Sequence, residues 1–233
     1  MVDNSKIEQK YRTIRSYVIR GVRMTDAQQN AFSIHWPQWG LSADEGLIDF
    51  DSAFVRAAPR TLEIGFGMGG SLAEMAAKQA DRDFIGIEVH KPGVGKLMHT
   101  MAERDIDNIR IFCHDAVEVL DRCIEDSSLD RVQIFFPDPW HKNKHRKRRL
   151  IQSEFVEQLR QKVRPGGCLH LATDWQNYAE QMLRVLNLAP GYRNMSENRS
   201  YISRPDDRPL TKFELRGERL GHGVWDLMFE RID

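Results

Sequence analysis

From residue 60 onward, short apolar runs alternate with longer stretches whose apolar residues recur at helical spacing. "TLEIGF" has the length and composition of a buried strand, and "SLAEMAAKQA" after it places Leu72, Met75 and Ala76 on one helical face. The same alternation returns in "DFIGIEV" followed by a helical stretch through "KLMHTMAER", and in "IRIFCH" followed by "DAVEVLDRCI". "RVQIFF" is next; past a basic segment, "SEFVEQLRQKV" reads as helix until Pro165-Gly166-Gly167. "GCLHLAT" and the helical "NYAEQMLRVLN" complete the series. Strand and helix alternating at this pitch imply βαβ units, and so a mostly parallel, doubly wound α/β sheet covered on both faces. After Pro190-Gly191 the period changes, and "YRNMSE" and "VWDLMFERI" predict a closing antiparallel β-ribbon around a polar stretch.

Residues 1 to about 40 show weak periodicity and carry Lys6, Lys10, Arg12, Arg15, Arg20 and Arg23 against Asp3 and Glu8. They read as a basic arm, tacked down by "FSIHWPQWG", that is either a binding element or a solvated terminus. The expected organisation is this arm over 1–40 and a single domain over 41–233.

Composition narrows the setting. No apolar run approaches the ~20 residues of a membrane helix, and the N-terminal stretch lacks the apolar core of a signal peptide. Cys113, Cys123 and Cys168 form no CxxC pair, which argues for a reducing compartment without a disulfide frame or structural zinc. A cytoplasmic protein with no membrane partner is expected. With 34 basic and 34 acidic residues, any positive potential has to be local.

In a doubly wound sheet, ligands bind beyond the carboxyl ends of the strands, near the reversal in strand order. The first strand ends in "EIGFGMGG", where Gly65, Gly67 and Gly70 fit G-x-G-x-x-G between a strand and a helix. The second ends at Glu88, placed to accept both hydroxyls of a ribose. A dinucleotide dehydrogenase fits these residues equally well. Glu63 and Asp115 shift the balance. A negative pyrophosphate disfavours an extra carboxylate at the glycine turn, whereas a cofactor with a sulfonium and a free amine welcomes one. Asp115 suits the exocyclic amine of adenine. With Glu118 it also spells a helix capping box, and Glu63 alone is equally an ordinary strand-end charge. Together these strand ends favour S-adenosylmethionine.

The fourth strand ends at Pro137-Asp138-Pro139-Trp140, where the methyl acceptor belongs; the flanking prolines stiffen the loop around Asp138. At the fifth, Asp174 either N-caps the next helix or meets substrate. Between the fourth strand and its helix lie Lys142, Lys144, Arg146, Lys147, Arg148 and Arg149, anchored at both ends and therefore at the rim of the site. Such a rim suits a phosphate backbone, with Trp140, the histidines and the guanidiniums available for stacking on bases. His141 and His145 have an i,i+4 spacing suited to a metal, but the surrounding cations repel one, and no metal is expected.

Taken in order, "RSYVIRGVRMT", "EIGFGMGGSLAEMA", "GIEVHKPGVG", "FPDPWHKNKHRKRRL", "ATDWQNYAEQM" and "RPLTKFE" resemble the bacterial tRNA (guanine-N7)-methyltransferases over nearly the whole chain. The resemblance implies a Rossmann-like class I methyltransferase fold, S-adenosylmethionine as cofactor, and tRNA as partner, methylated at the variable-loop guanosine. Carried over, it implies that Glu63, Gly65, Gly67, Glu88, Asp115 and Asp138 line the cofactor site, with Asp138 the proposed catalytic residue. Lys142, Asp174, Thr211, Lys212, Phe213 and Glu214 would meet substrate, and Lys144, His145, Arg146, Lys147, Arg148 and Arg149 would meet RNA. Either a monomer or a homodimer is compatible, the monomer being preferred. An amino-methyltransferase for adenine or cytosine is a neighbouring alternative, against which the prolines split around Asp138 argue. A non-catalytic RNA-binding protein on the same scaffold would lack cofactor binding.

Overall fold

A computed structural model describes residues 14–18, 21, 23–211, 214 and 223–233. In chain order the elements are α1 (Asp26–Trp39), β1 (Gly40–Leu41), a 3-10 turn (Ala43–Glu45), α2 (Phe50–Phe54), β2 (Arg60–Ile64), α3 (Gly70–Lys78), β3 (Asp83–Ile87) and α4 (Lys91–Glu103). There follow β4 (Ile109–Phe112), α5 (Ala116–Arg122), β5 (Leu129–Phe135), a 3-10 segment (Asn143–Arg148), α6 (Ser153–Lys162), β6 (Val163–Thr173), α7 (Gln176–Leu188), β7 (Tyr192–Asn194) and β8 (Trp225–Arg231).

The strands form one sheet in the order β1-β4-β3-β2-β5-β6-β8-β7. All pairings from β1 to β6 are parallel, and β8 runs antiparallel to both β6 and β7. Leu62, Ile64, Ile85 and Ile87 face α5, α6 and α7 through Leu120, Phe155, Leu159 and Met182. On the other face Phe84, Ile109, Ile111 and Phe135 meet Leu72 and Met75 of α3, Leu97 and Met98 of α4, and Ala31 of α1. Parallel strands covered on both faces must be apolar throughout, which is why they stand out as runs. The chain reverses its winding between β2 and β5, and this opens a crevice above their carboxyl ends. Among the described residues no helix is long and apolar enough to cross a membrane.

Two elements differ from expectation. The stretch assigned to the arm is helical over Asp26–Trp39. Thr25 Oγ1 accepts from Gln28 N at 3.3 Å while Gln28 Oε1 accepts from Thr25 N at 2.9 Å, a reciprocal capping box spelled by "TDAQ". The helix lies hard against α4: a Cβ at Gly95 would stand 2.5 Å from Gln28 O. β6 also begins earlier than the Pro-Gly-Gly turn suggests. Val163 already pairs with Leu129, and a register shift before the Arg131–Cys168 pair absorbs the turn as a bulge.

Candidate active site

The carboxyl ends of β2, β3, β4 and β5, with Ser16 and Tyr17, enclose a cavity of about 220 Å³. Gly67 holds its turn at φ 59°, and its carbonyl lies so close to α4 that a Cβ on Gly93 would stand 2.0 Å away. The turn is tied to β3 by Glu88: Oε2 accepts from Gly67 N at 2.8 Å, and Oε1 from Val89 N at 2.7 Å and His90 N at 3.0 Å. Asp115 serves both a helix end and the cavity wall, while Glu118 pairs with His114 at 2.8 Å and closes no capping box with Asp115. It N-caps α5, accepting from Val117 N at 2.8 Å, and it lines the cavity. Burial first, and then the Asp115 charge, push the Tyr17 phenol up to about 12.

Glu63 is set below this cavity. It is 3% exposed on the inner sheet and accepts from Gln133 Nε2 at 2.8 Å. Burial raises its carboxyl to about 7, an effect the Gln133 bond partly offsets. Because the folded chain holds this proton more tightly than the unfolded one, the associated stability is full below about 4.5. It declines as pH rises to about 7 and is absent above. Glu63→Gln, which keeps the shape and the Gln133 bond, is expected to stabilise the protein by roughly 1–3 kcal/mol at pH 8 and by nothing measurable at pH 4. Urea unfolding at the two pH values checks this.

Asp138 stands at the opening of the crevice, exposed, on a loop whose flanks are strained: Phe136 has φ 52° and Trp140 φ 45°, left-handed values for bulky residues. It lines the first cavity and also a second, of about 530 Å³, formed with Val18, Pro139, Trp140, His141, Lys142 and His145. Trp140 is the post of this second space. Its Nε1 donates to Ser16 O at 2.9 Å, Arg148 lies 4.7 Å over its ring, and His145 meets it edge-on at 5.8 Å. Partial burial, and then the charges of Lys144, Arg148 and Lys142, hold the His145 imidazole below its usual pKa. His141 packs edge-on against Trp175 at 4.2 Å, joining this loop to the end of β6.

The basic run divides. Lys142, Lys144, Arg146 and Lys147 are exposed around the 3-10 segment. Arg149, grouped with them by sequence, is 2% exposed and turns inward. It donates from Nε to Pro139 O at 2.8 Å, from Nη1 to Gln181 Oε1 at 2.7 Å and from Nη2 to Asn177 Oδ1 at 3.0 Å, over the Tyr178 ring at 4.7 Å. With its donors spent on the protein, it fastens the loop instead of offering a free cation. Glu214 also turns inward. At 2% exposure its Oε1 pairs with Arg208 Nη2 at 2.6 Å, and its Oε2 accepts from Thr211 N at 2.8 Å. Both oxygens thus already have a partner within the protein. Asp174 is exposed and does not cap α7, whose N-cap is Trp175. Lys212 and Phe213 lie outside the described residues. Ser16 and Tyr17 escape a reading of strand ends; only their basic neighbourhood in the sequence hints at them.

The Methyltransf_4 methyltransferase family model matches residues 57–227. Two curated relatives, the tRNA (guanine-N(7)-)-methyltransferases of Ectopseudomonas mendocina (strain ymp) and Stutzerimonas stutzeri (strain A1501), are 58% identical over 220 residues and 57% identical over 222. These alignments cover 94% and 95% of this chain, and 92% and 93% of the relatives. The chain belongs to the tRNA (guanine-N7)-methyltransferase family.

Solved structures place this family member in the class I methyltransferase fold. The 16S rRNA methyltransferase KamB matches with a TM-score of 0.58 at 14% identity, over 80% of this chain and 95% of that one. The aminoglycoside resistance methyltransferase NpmB1 gives 0.52 at 19%, over 83% and 95%. The first cavity fits the S-adenosylmethionine on which the family depends. A Cβ at Gly65 or Gly67 would meet nothing within 4 Å, so the turn leaves open space above it. Glu88, Asp115 and Asp138 bring carboxylates to its wall, a donor set suited to hydroxyls, amines and a cation.

Proposed function

We propose that this chain transfers the methyl group of S-adenosylmethionine to N7 of the variable-loop guanosine, position 46, of tRNA. The observation that carries this reading is that Asp138 lies in the walls of both cavities, and so at the junction of cofactor and acceptor spaces. When bound, the cofactor supplies an electrophilic methyl group on a sulfonium cation. Guanine N7 has a lone pair and no proton, so the reaction asks no general base of the chain. What remains is positioning and electrostatics.

Glu88 and Asp115 would hold the cofactor's ribose hydroxyls and adenine amine, while Glu63 lies buried on β2, bonded to Gln133 of β5. Asp138 accepts from guanine N1-H or its amino group and balances the charge that develops on the base. Lys142 lines the acceptor cavity, and exposed Asp174 precedes Trp175, whose ring meets His141 of the cavity wall. The base has to leave its tertiary stack to enter, and Trp175, Trp140 and His141 offer surfaces for it.

The test is incubation with unmodified tRNA and labelled cofactor, followed by nucleoside analysis. Label should appear as 7-methylguanosine and vanish when the variable-loop guanosine is replaced; persistence of label in that tRNA sinks the assignment. The exposed cations make a separate expectation. The triple substitution Lys144→Ala, Arg146→Ala, Lys147→Ala should raise the KM for tRNA by about 10- to 100-fold and flatten the slope of log K against log salt by about 2. Cofactor binding should be unchanged, as titrations at several salt concentrations would show.

A further inference from the structure

The sheet face beneath the catalytic loop carries buried polar side chains that the chemistry above leaves unused. Arg208, 0% exposed, donates from Nε to Asp226 Oδ1 and from Nη2 to Asp226 Oδ2, both at 2.8 Å. The same Nη2 is 2.6 Å from Glu214 Oε1. Its guanidinium carbon lies 5.7 Å from the ring centres of both Phe135 and Phe136, which lead directly into Pro137-Asp138-Pro139. From the other side, His170 stands edge-on to Phe135 at 4.9 Å. Arg131 Nη2 donates to His170 Nδ1 at 2.7 Å. A guanidinium cannot accept, so the imidazole proton is on Nε2 and is donated to Asp226 Oδ1 at 2.8 Å. Arg131 is further paired with Asp207.

Burial on this scale is costly for charges unless geometry and hydrogen bonding are complete, and apolar residues would fill the space at least as stably. A planar, bidentate cation adds fixed orientation instead. Here it joins two distant pieces of chain, the Phe136 bend and β8 through Asp226, to the nearby Glu214 and, through it, Thr211. The bend needs such support, because a left-handed aromatic residue persists only where its surroundings hold it.

We propose that Arg208 is a positioning residue for the methyl transfer proposed above, fixing Glu214 and the Phe136 bend as one unit. The inference rests on that functional reading, and the following series separates the two. Arg208→Lys keeps the charge and loses the fork; Glu214→Gln keeps the shape and loses the charge. Each should lower kcat by about 30-fold or more while the tRNA KM and the cofactor Kd stay within about threefold of wild type. The double variant should lose no more than the worse single one, as expected of residues that work as a unit.

Additive losses, a defect confined to the tRNA KM, or kcat within threefold of wild type would each overturn the proposal. Should Arg208→Lys fail to fold by circular dichroism, Glu214→Gln alone decides by its split between kcat and KM, since the Arg208–Asp226 pair is left in place. A wild-type protein that makes no 7-methylguanosine overturns the functional reading and this inference with it. Active wild type with unimpaired variants overturns the inference alone.

Discussion

Asp138→Asn is expected to lower kcat by about 100- to 1000-fold, equivalent to about 3–4 kcal/mol of transition-state stabilisation, with the cofactor Kd changed by less than about threefold. No proton has to leave guanine N7, so the loss reports charge and orientation and not base catalysis. The amide retains an accepting oxygen but brings an NH2 group toward the donor edge of guanine, where it finds no acceptor. Asp138 is exposed in the structure and lines both cavities, so ligands filling them would exclude water from its carboxylate and strengthen its charge in the ternary complex. Single-turnover transfer to tRNA with both substrates saturating is the measurement. A rate within threefold of wild type would remove the Asp138 charge from the centre of the mechanism.

Arg149→Met should behave quite unlike the loss of an RNA contact. It strips the partners from Pro139 O, Gln181 Oε1 and Asn177 Oδ1 in a buried place, at roughly 2–4 kcal/mol of stability. For a chain of this length, that is a fall in Tm of roughly 6–12 °C. The bond to Pro139 O adjoins Asp138, so kcat should also fall by about tenfold or more while the salt dependence of tRNA binding is unchanged. A stable variant with a shallower salt slope would instead return Arg149 to the RNA-facing set.

These two residues also show what the sequence could and could not reveal. The parallel sheet is legible because strands buried on both faces are apolar runs with helices between them. Its topology then gathers the residues that end those strands, so Glu88, Asp115 and Asp138 stand out from the amino-acid sequence alone. α1 is obscured because it buries little beyond Ala31 and Trp39 and contains Pro37; its capping pair is the better signal. Charge patterning does not distinguish inward from outward. Arg149 is the last of a cationic run, and nothing local says that Asn177 and Gln181, on a helix about thirty residues away, will take its donors. Glu214 is the same problem: its partner Arg208 is near in sequence, but the aspartate that completes the cluster comes from the final strand.

That final strand carries a consequence for synthesis. β8 is the last strand of the sequence, yet it lies inside the sheet between β6 and β7. A nascent chain halted before residue 225 has β6 as an open edge, β7 with nothing to pair against, and Arg208 without Asp226. β2 to β5 precede the loop that carries Asp138, but the Asp226 that anchors Arg208 beneath it follows almost ninety residues later. The loop of Asp138 is thus underpinned from a segment remote in the sequence, and loss of β8 would remove that support along with two strand pairings.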